Sequence, residues 1–266
     1  MYETTYHLPS SVEDAVALFK KGSDAKYLAG GHTLLPVMKQ RLAQPSDVID
    51  LARIPALVGV SATADALIIK AATTYYDILT SAAAQKAIPA IVHLTSVLGD
   101  PAVRYRGTAG GSIANNDPAA DYPAAVVALD ATVKTNKRSI RADDFFKGLF
   151  TTALEDGEII TEISFPIPAK AAYSKMRHPA SRFALTGVFV AKLKSGDVRV
   201  AATGASQNGV MRVPDIEKAL KTNWSASAID AVTISPNGMI ADIHGSAAYR
   251  ANLVKVMAQR AVAETE

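Results

Sequence analysis

Residues 29–33 (AGGHT) and residues 108–112 (TAGGS) are two glycine pairs, each with a small hydroxyl residue and each followed by an apolar stretch that can form a helix. Adjacent glycines permit positive φ angles and carry no Cβ, so another group can approach the backbone closely. The hydroxyl residue can cap the next helix, whose first N–H groups suit an anion. We therefore predict that the two loops face one another and hold both phosphates of a dinucleotide.

Neither loop has the spacing of the common phosphate-binding motifs. G-x-G-x-x-G is missing, so a classical dinucleotide-binding fingerprint is absent, and no Gly-Lys-Ser/Thr follows the glycines as it does in a nucleoside-triphosphate loop. A single Gly-Gly-X-Thr sequence is more often only a turn. Two loops of one design, each placed between an extended segment and a helix, favour a dinucleotide held by another fold.

A family resemblance appears at these residues. The segments 29–35 (AGGHTLL) and 108–123 (TAGGSIANNDPAADYP) resemble the two flavin signatures of the FAD-binding subunit of the molybdenum hydroxylase family, which includes xanthine and carbon monoxide dehydrogenases. The resemblance runs through nearly the whole chain and includes residues 246–250 (SAAYR) before a final helix. It implies an α+β protein with the PCMH-type, vanillyl-alcohol-oxidase-like FAD-binding fold.

Domain organisation follows from the same resemblance and from local patterns. Short strands and helices alternate through residues 1–54, which we expect to form the first FAD-binding α/β subdomain. We expect residues 55–168 to form the second subdomain. The closely spaced prolines at residues 166–168 (PIP) favour an extended linker. Residues 169–266 then read as an α+β domain in which helices cover one side of an antiparallel sheet.

Composition narrows the functional classes. The chain of 266 residues is 49% hydrophobic and 20% charged, which is typical of a globular protein. A net charge of +3 offers little for nucleic acid or an anionic membrane, and no apolar run reaches the roughly 20 residues that span a bilayer. The first residues lack the pattern of a signal peptide, so a cytoplasmic location is expected.

The absence of cysteine excludes disulfides, a thiolate nucleophile and a cysteine-ligated iron–sulfur cluster within these 266 residues. The five histidines show neither clustering nor i,i+4 pairing, so we predict that the chain binds no metal.

The resemblance also assigns binding residues, with no catalytic residue on this chain. The first loop would wrap the flavin and the diphosphate through Lys26, Tyr27, Leu28, Ala29, Gly30, Gly31, His32, Thr33 and Leu34. The second loop and the residues after it would contribute Thr108, Ala109, Gly110, Gly111, Ser112, Asn115 and Asp121. Leu98 corresponds to a residue near the flavin ring, Ile160 to a strand residue giving a backbone contact, and Lys175 to a lysine that can compensate negative charge on a reduced flavin.

Simpler interpretations of these residues remain open. Leu98 and Ile160 can be ordinary core residues, and Lys175 can lie on a solvated strand face. Asp121 can occupy the first turn of a helix instead of accepting a ribose hydroxyl, with Asp117 capping a helix that starts near Ala119.

Three further features are interpreted in the same way. His32 has no carboxylate partner in sequence, so we interpret it as a binding residue and not as a catalyst. The basic residues 134–138 (KTNKR) form either a solvated hairpin or a docking site. Many relatives have Gly-Asp where this chain has Ser181-Arg182, which changes the charge expected beside the flavin ring.

The resemblance implies an electron-transfer subunit. FAD on this chain would receive electrons from the [2Fe–2S] clusters of a small subunit and pass them to an external acceptor, while substrate is oxidised at a molybdopterin site on a large subunit. The implied assembly is a dimer of heterotrimers, and the substrate and the acceptor stay open. The alternatives are a stand-alone flavin oxidoreductase of the same fold and a non-catalytic nucleotide-binding module.

Overall fold

The structure, a computed structural model, describes residues 1–265. The chain begins with a parallel three-stranded sheet and two helices: β1 (Thr5–His7), α1 (Val12–Lys21), β2 (Ala25–Leu28), α2 (Leu34–Lys39) and β3 (Asp47–Asp50). The strand order is β1-β3-β2, so each helix is the crossover that parallel strands require. Ser10 and Glu13 have the spacing of a capping box in the sequence, but Ser11 is the residue that caps α1 and accepts the N–H of Asp14. The sequence predicts a helix over residues 34–42, but α2 ends at Lys39.

A second sheet and a group of short helices follow. After a 3₁₀ turn at Pro55–Leu57 come β4 (Val60–Ala62), β5 (Ala66–Lys70), α3 (Tyr75–Thr80), α4 (Ala82–Ala87), α5 (Pro89–Ser96), α6 (Pro101–Arg106), α7 (Ala109–Asn115), α8 (Tyr122–Ala128), β6 (Thr132–Thr135), β7 (Ser139–Arg141), α9 (Ala142–Phe145), β8 (Phe146–Gly148), β9 (Thr151–Thr152) and β10 (Ile160–Pro166). The five-stranded antiparallel sheet has the order β4-β5-β10-β6-β7, and β8 pairs with β9.

One local prediction in this region is wrong, and one predicted helix is shorter than expected. Residues 103–106 were expected to be extended, but they belong to α6, because the Asp100 side chain caps that helix and Pro101 occupies its first turn. The helix predicted over residues 120–129 is limited to α8, since Asp117 forms a turn with the N–H of Ala119 and the helix begins only at Tyr122.

The last part of the chain is an antiparallel sheet with helices. It contains β11 (Lys170–Arg177), β12 (Ala184–Lys192), β13 (Val198–Ser206), β14 (Gly209–Arg212), α10 (Pro214–Thr222) and α11 (Ala247–Ala263). The strands pair in sequence order, and the predicted turn at Gly196 joins β12 to β13. The helix expected over residues 227–234 is instead a single 3₁₀ turn at Ala226–Ile229.

This sheet is buried on both faces, not covered on one side only. Val188 and Val190 of β12 pack in the core beneath α10 and α11. Phe189 and Ala191, on the opposite face, join the core of α5 and α8. Because side chains alternate along a strand, β12 takes part in two hydrophobic cores at once.

The architecture is α+β, as predicted. Within residues 1–265, no helix is long and apolar enough to cross a membrane. The same residues contain no group of three or more His, Asp or Glu side chains arranged to hold a metal ion.

Candidate cofactor-binding site

The two glycine loops lie side by side. A Cβ built on Gly30 would stand 2.2 Å from the carbonyl oxygen of Arg106 and 2.8 Å from the Cα of Gly107. A Cβ built on Gly111 would lie 3.6 Å from the Cβ of Ala29. The β2–α2 connection therefore meets the entrance to α7, with backbone contact at Gly30 that only glycine permits, and the loops face one another as the sequence predicts.

The first loop presents free backbone donors. Gly31 adopts the left-handed conformation with φ of 75°, which glycine reaches without strain. Within the described chain, the N–H groups of residues 30–34 donate to no acceptor. The Thr33 side chain does not cap α2, contrary to the capping role expected for this hydroxyl. Successive unpaired N–H groups around a left-handed residue form a concave site for an anion.

The second loop has a different design. The N–H of Gly110 donates to the carbonyl of Ala71 (3.0 Å), and that of Gly111 donates to the Thr108 hydroxyl (3.1 Å), which caps α7. The expectation of outward-pointing donors is therefore wrong for this helix, because the end of β5 and the cap use them. Glycine is required here for close packing, since a Cβ on Gly110 would stand 2.6 Å from the carbonyl oxygen of Ala71.

A cavity of about 700 Å³ runs between the loops, within the size range of cofactor sites. All the predicted site residues except Ala109 and Lys175 line it: Lys26, Tyr27, Leu28, Ala29, Gly30, Gly31, His32, Thr33, Leu34, Leu98, Thr108, Gly110, Gly111, Ser112, Asn115, Asp121 and Ile160. Ala109 is fully buried beneath the loop. Leu98 and Ile160 also pack in the core, so their two interpretations are compatible.

Other lining residues were not predicted as site residues. Most are apolar and come from scattered elements, namely Val37, Leu51, Leu57, Ala71, Ala72, Tyr75, Gly99, Val103, Gly107, Ala114, Ala120, Leu154 and Ile159, together with Asp117, Glu158, Ser181, Arg182 and Phe183. No local pattern separates such side chains from ordinary core residues. The segment 181–183 was noticed only for its difference from relatives.

Asp121 joins the second loop to the last sheet. Its Oδ1 accepts hydrogen bonds from the Lys175 ammonium (2.9 Å) and from the Tyr173 hydroxyl. Burial raises the pKa of Asp121, although Lys175 and Tyr173 oppose this shift, and burial likewise raises the pKa of Tyr173. The Lys175 side chain is only 2% exposed, so it lies on no solvated face and reaches the cavity through Asp121.

Glu158 occupies another part of the cavity wall and explains the basic residues 134–138. Burial opposes its ionisation, but hydrogen bonds from the Arg138 guanidinium, the Glu155 N–H and the Thr135 hydroxyl outweigh this effect and lower its pKa to about 2. The basic segment forms the β6–β7 hairpin. Its other cations are paired too, Lys134 with Glu162 and Lys137 with Glu155.

The family follows from comparison with known proteins. A family model described as the FAD binding domain in molybdopterin dehydrogenase matches residues 2–168, more than half of the chain. The chain belongs to this family. It is an FAD-binding, medium-subunit type flavoprotein of the molybdenum hydroxylases, and its cofactor is FAD.

Relatives align over almost the full length. The carbon monoxide dehydrogenase medium chain of Hydrogenophaga pseudoflava is 35% identical, covering 97% of this chain and 95% of that one. The nicotine 6-hydroxylase medium subunit of Paenarthrobacter nicotinovorans is 36% identical, covering 97% of this chain and 96% of that one. The structure of carbon monoxide dehydrogenase from Oligotropha carboxidovorans superimposes with a TM-score of 0.91 at 33% identity, covering 99% of this chain and 98% of that one.

The site suits this flavoprotein's cofactor on physical grounds. Free N–H groups on residues 30–34 match the acceptor oxygens of a diphosphate. The missing Cβ atoms leave room for a ligand between the loops, while Leu28, Leu57 and Ile159 give the wall apolar surface for ring systems. The described chain thus offers FAD both backbone donors for its diphosphate and apolar side chains for its ring systems.

Proposed function

We propose that the chain is the electron-transfer subunit of a molybdenum hydroxylase complex. FAD supplies the isoalloxazine ring that takes up two electrons and releases them again. The electrons would come from [2Fe–2S] clusters on a small partner subunit, after oxidation of a substrate at molybdenum on a large one. The names of the relatives support this proposal, because they are medium chains of dehydrogenases.

The observation that carries the proposal is the cavity between the glycine loops. We propose that residues 30–34 hold the diphosphate through their backbone N–H groups, with Ser112 and Asn115 contributing side-chain contacts. The flavin ring would lie toward Leu98, and Ile160 would give the cofactor a backbone contact. This orientation rests on the family resemblance and on the presence of both residues in the cavity wall.

The titratable groups of the cavity wall support electron transfer over acid–base chemistry. Lys175 neutralises Asp121, and Arg138 neutralises Glu158. Burial raises the pKa of Tyr75 to about 12, beyond the range in which a tyrosine exchanges protons at neutral pH. The His32 side chain is exposed and has no carboxylate partner in the described chain. This chain therefore binds and orients the cofactor, and no side chain of the cavity wall needs to transfer a proton.

Anaerobic spectroscopy of the complex tests the proposal. We would purify the chain with its partner subunits and add the substrate of the complex without dioxygen. The flavin absorbance should bleach after, or together with, the iron–sulfur bands. The isolated chain with bound FAD should keep its oxidised spectrum under the same conditions.

The other outcomes separate the alternatives. Bleaching of the isolated chain by a small substrate would indicate a stand-alone oxidoreductase, and a colourless chain that takes up no FAD would indicate a nucleotide-binding module. We propose a dimer of heterotrimers, which the mass of the purified complex would test. The external acceptor and the cytoplasmic location likewise stay predictions.

A further inference from the structure

One end of the cavity is closed by a loop from the last sheet. Residues 181–183, between β11 and β12, line the cavity and are exposed to solvent at the same time. Leu98, Gly99 and Val103 form the wall at the same end. The loop therefore stands between this end of the cavity and solvent.

The loop is held in a defined conformation. The N–H of His178 donates to the carbonyl of Phe183 (2.8 Å), and the N–H of Arg182 donates to the carbonyl of His178 (2.9 Å). Arg182 adopts φ of 62°, a left-handed conformation that is unfavourable for a residue with a side chain. Such strain persists only when surrounding contacts impose it, so the backbone of Arg182 is held in place at the cavity mouth.

The Arg182 guanidinium has no partner. It makes no hydrogen bond or ion pair within residues 1–265, and neither does the guanidinium of Arg177 at the end of β11. The carboxylate that interacts with Arg182 electrostatically is Asp100, at the start of α6. The N–H of Val103 is the main cause of the lowered pKa of Asp100, and the charge of Arg182 contributes.

Of the three carboxylates in the cavity wall, Asp117 accepts the N–H of Ala119, and the other two have cations of their own. Lys175 neutralises Asp121, and Arg138 neutralises Glu158. A free cation thus stands where the cavity opens, with one carboxylate nearby. Fixed charges at the entrance of a cleft raise the local concentration of ions of opposite sign.

We propose that Arg182 makes the mouth of this cavity selective for anionic electron acceptors, and that Asp100 limits the selectivity. The inference rests on the proposed function, because it requires the flavin ring to lie at this end. With ferricyanide as the acceptor, two ions each take one electron while one FADH₂ is oxidised to FAD and two protons are released. The acceptor is thus reduced without group transfer.

Two substitutions that remove charges of opposite sign test the proposal on the intact complex. Arg182→Gln removes the cation, and Asp100→Asn removes the anion while keeping an oxygen that can cap α6. Oxidation of the reduced complex would be followed with ferricyanide, a trivalent anion, and with a soluble ferrocenium, a cation. Arg182→Gln should slow ferricyanide roughly tenfold at low ionic strength and speed ferrocenium, and Asp100→Asn should do the reverse.

A readout independent of turnover is the quenching of FAD fluorescence. Iodide is an anion and acrylamide is neutral, so their ratio of quenching constants reports the charge at the mouth. Arg182→Gln should lower the iodide-to-acrylamide ratio roughly threefold, and Asp100→Asn should raise it. Arg141 is an exposed arginine on β7, so Arg141→Gln is the matched control. It should leave the iodide-to-acrylamide ratio unchanged.

The outcomes are distinct. Rates that fall together for the anion and the cation, with an unchanged quenching ratio, would show a structural effect and overturn the proposal. Effects that survive 0.5 M salt would also contradict it, since exposed charges are screened there. If substrate fails to reduce the flavin, the proposed function fails, while the quenching ratio still tests the charge at the mouth.

Discussion

At the scale of single residues, Gly110 and Gly111 have different tasks although they are adjacent. A methyl group on Gly110 would collide with the backbone of Ala71, whereas one on Gly111 would meet two side-chain atoms between the loops, the Thr108 hydroxyl at 2.8 Å and the Cβ of Ala29 at 3.6 Å. We expect Gly111→Ala to fold and to bind FAD at least about tenfold more weakly. Titration of the flavin-free chain with FAD, followed by flavin fluorescence, measures this.

Two other glycines serve as references for that experiment. Gly110→Ala should fold poorly, because overpacking against backbone cannot relax easily. Gly196→Ala, in the β12–β13 turn with open space around it, should lose a little stability through its positive φ and keep full FAD affinity. Normal affinity in Gly111→Ala would contradict the placement of FAD between the loops.

Lys175 gives a second prediction for a single residue, which concerns the stability of the fold. Its ammonium is buried against Asp121, so Lys175→Met leaves a buried carboxylate without its cation. Removing one partner of a buried ion pair typically costs about 3–5 kcal/mol, and we expect the free energy of unfolding to fall by this amount. Urea unfolding of the flavin-free chain measures it.

The double variant Asp121→Asn with Lys175→Met separates charge from packing. Most of the lost stability should return, because neither buried charge then remains. Losses that simply add in the double variant would mean that the two side chains do not stabilise each other.

At the scale of elements, the β6–β7 hairpin depends on one buried carboxylate. The pKa of Glu158 is about 2 in the folded chain against an ordinary value of 4.5, so the folded state favours its ionised form. This stabilisation is fully present above pH 4.5 and is lost as the pH falls toward 2. Glu158→Gln should therefore cost about 3 kcal/mol at pH 7 and much less at pH 3, as measured by urea unfolding at both values.

Glu155→Gln is the control for that measurement. The Glu155 side chain is 56% exposed and pairs with the same hairpin through Lys137. Surface ion pairs contribute little, so its effect should stay below about 1 kcal/mol at either pH. A pH-independent loss in Glu158→Gln would show that packing, and not charge, explains the role of Glu158.

Elements with strong local signals could be predicted from the sequence, and others could not. The glycine pairs predicted a pair of adjacent loops because a missing Cβ allows backbone contact that no other residue permits. Helix α6 was missed because β-branched and aromatic residues suggested a strand, while the cap at Asp100 and Pro101 decided the outcome. Free N–H groups were expected in both loops. In the second loop, however, the N–H of Gly110 donates to the carbonyl of Ala71, a tertiary contact that no local sequence pattern indicates.

The same reasoning applies to the cavity wall. Conspicuous residues such as Gly30, Ser112 and Asn115 were predicted as site residues, and they line the cavity. Leu57, Leu154 and Ile159 were missed, because an apolar side chain beside a ligand resembles one inside a core.

At the scale of the whole molecule, the last sheet completes the core of the preceding part. Tyr173, Phe189 and Ala201 are fully buried against α5 and α8. A chain that ends after Pro168 would expose that surface. We expect it to aggregate or to bind hydrophobic dyes strongly, as light scattering and dye fluorescence would show. A monomeric, FAD-binding fragment would mean that residues 1–168 are self-sufficient.

The double burial of β12 has a consequence for protein engineering. Recombining this flavoprotein with a relative at the proline pair near residue 167 would join one parent's helices α5 and α8 to the other parent's strands. Their side chains interlock, so a hybrid with mismatched volumes would contain voids or clashes even though the linker itself is permissive. Successful exchanges should transplant both helices together with the sheet. The workable crossover therefore lies upstream of residue 89, where α5 begins, and not at the prolines near residue 167.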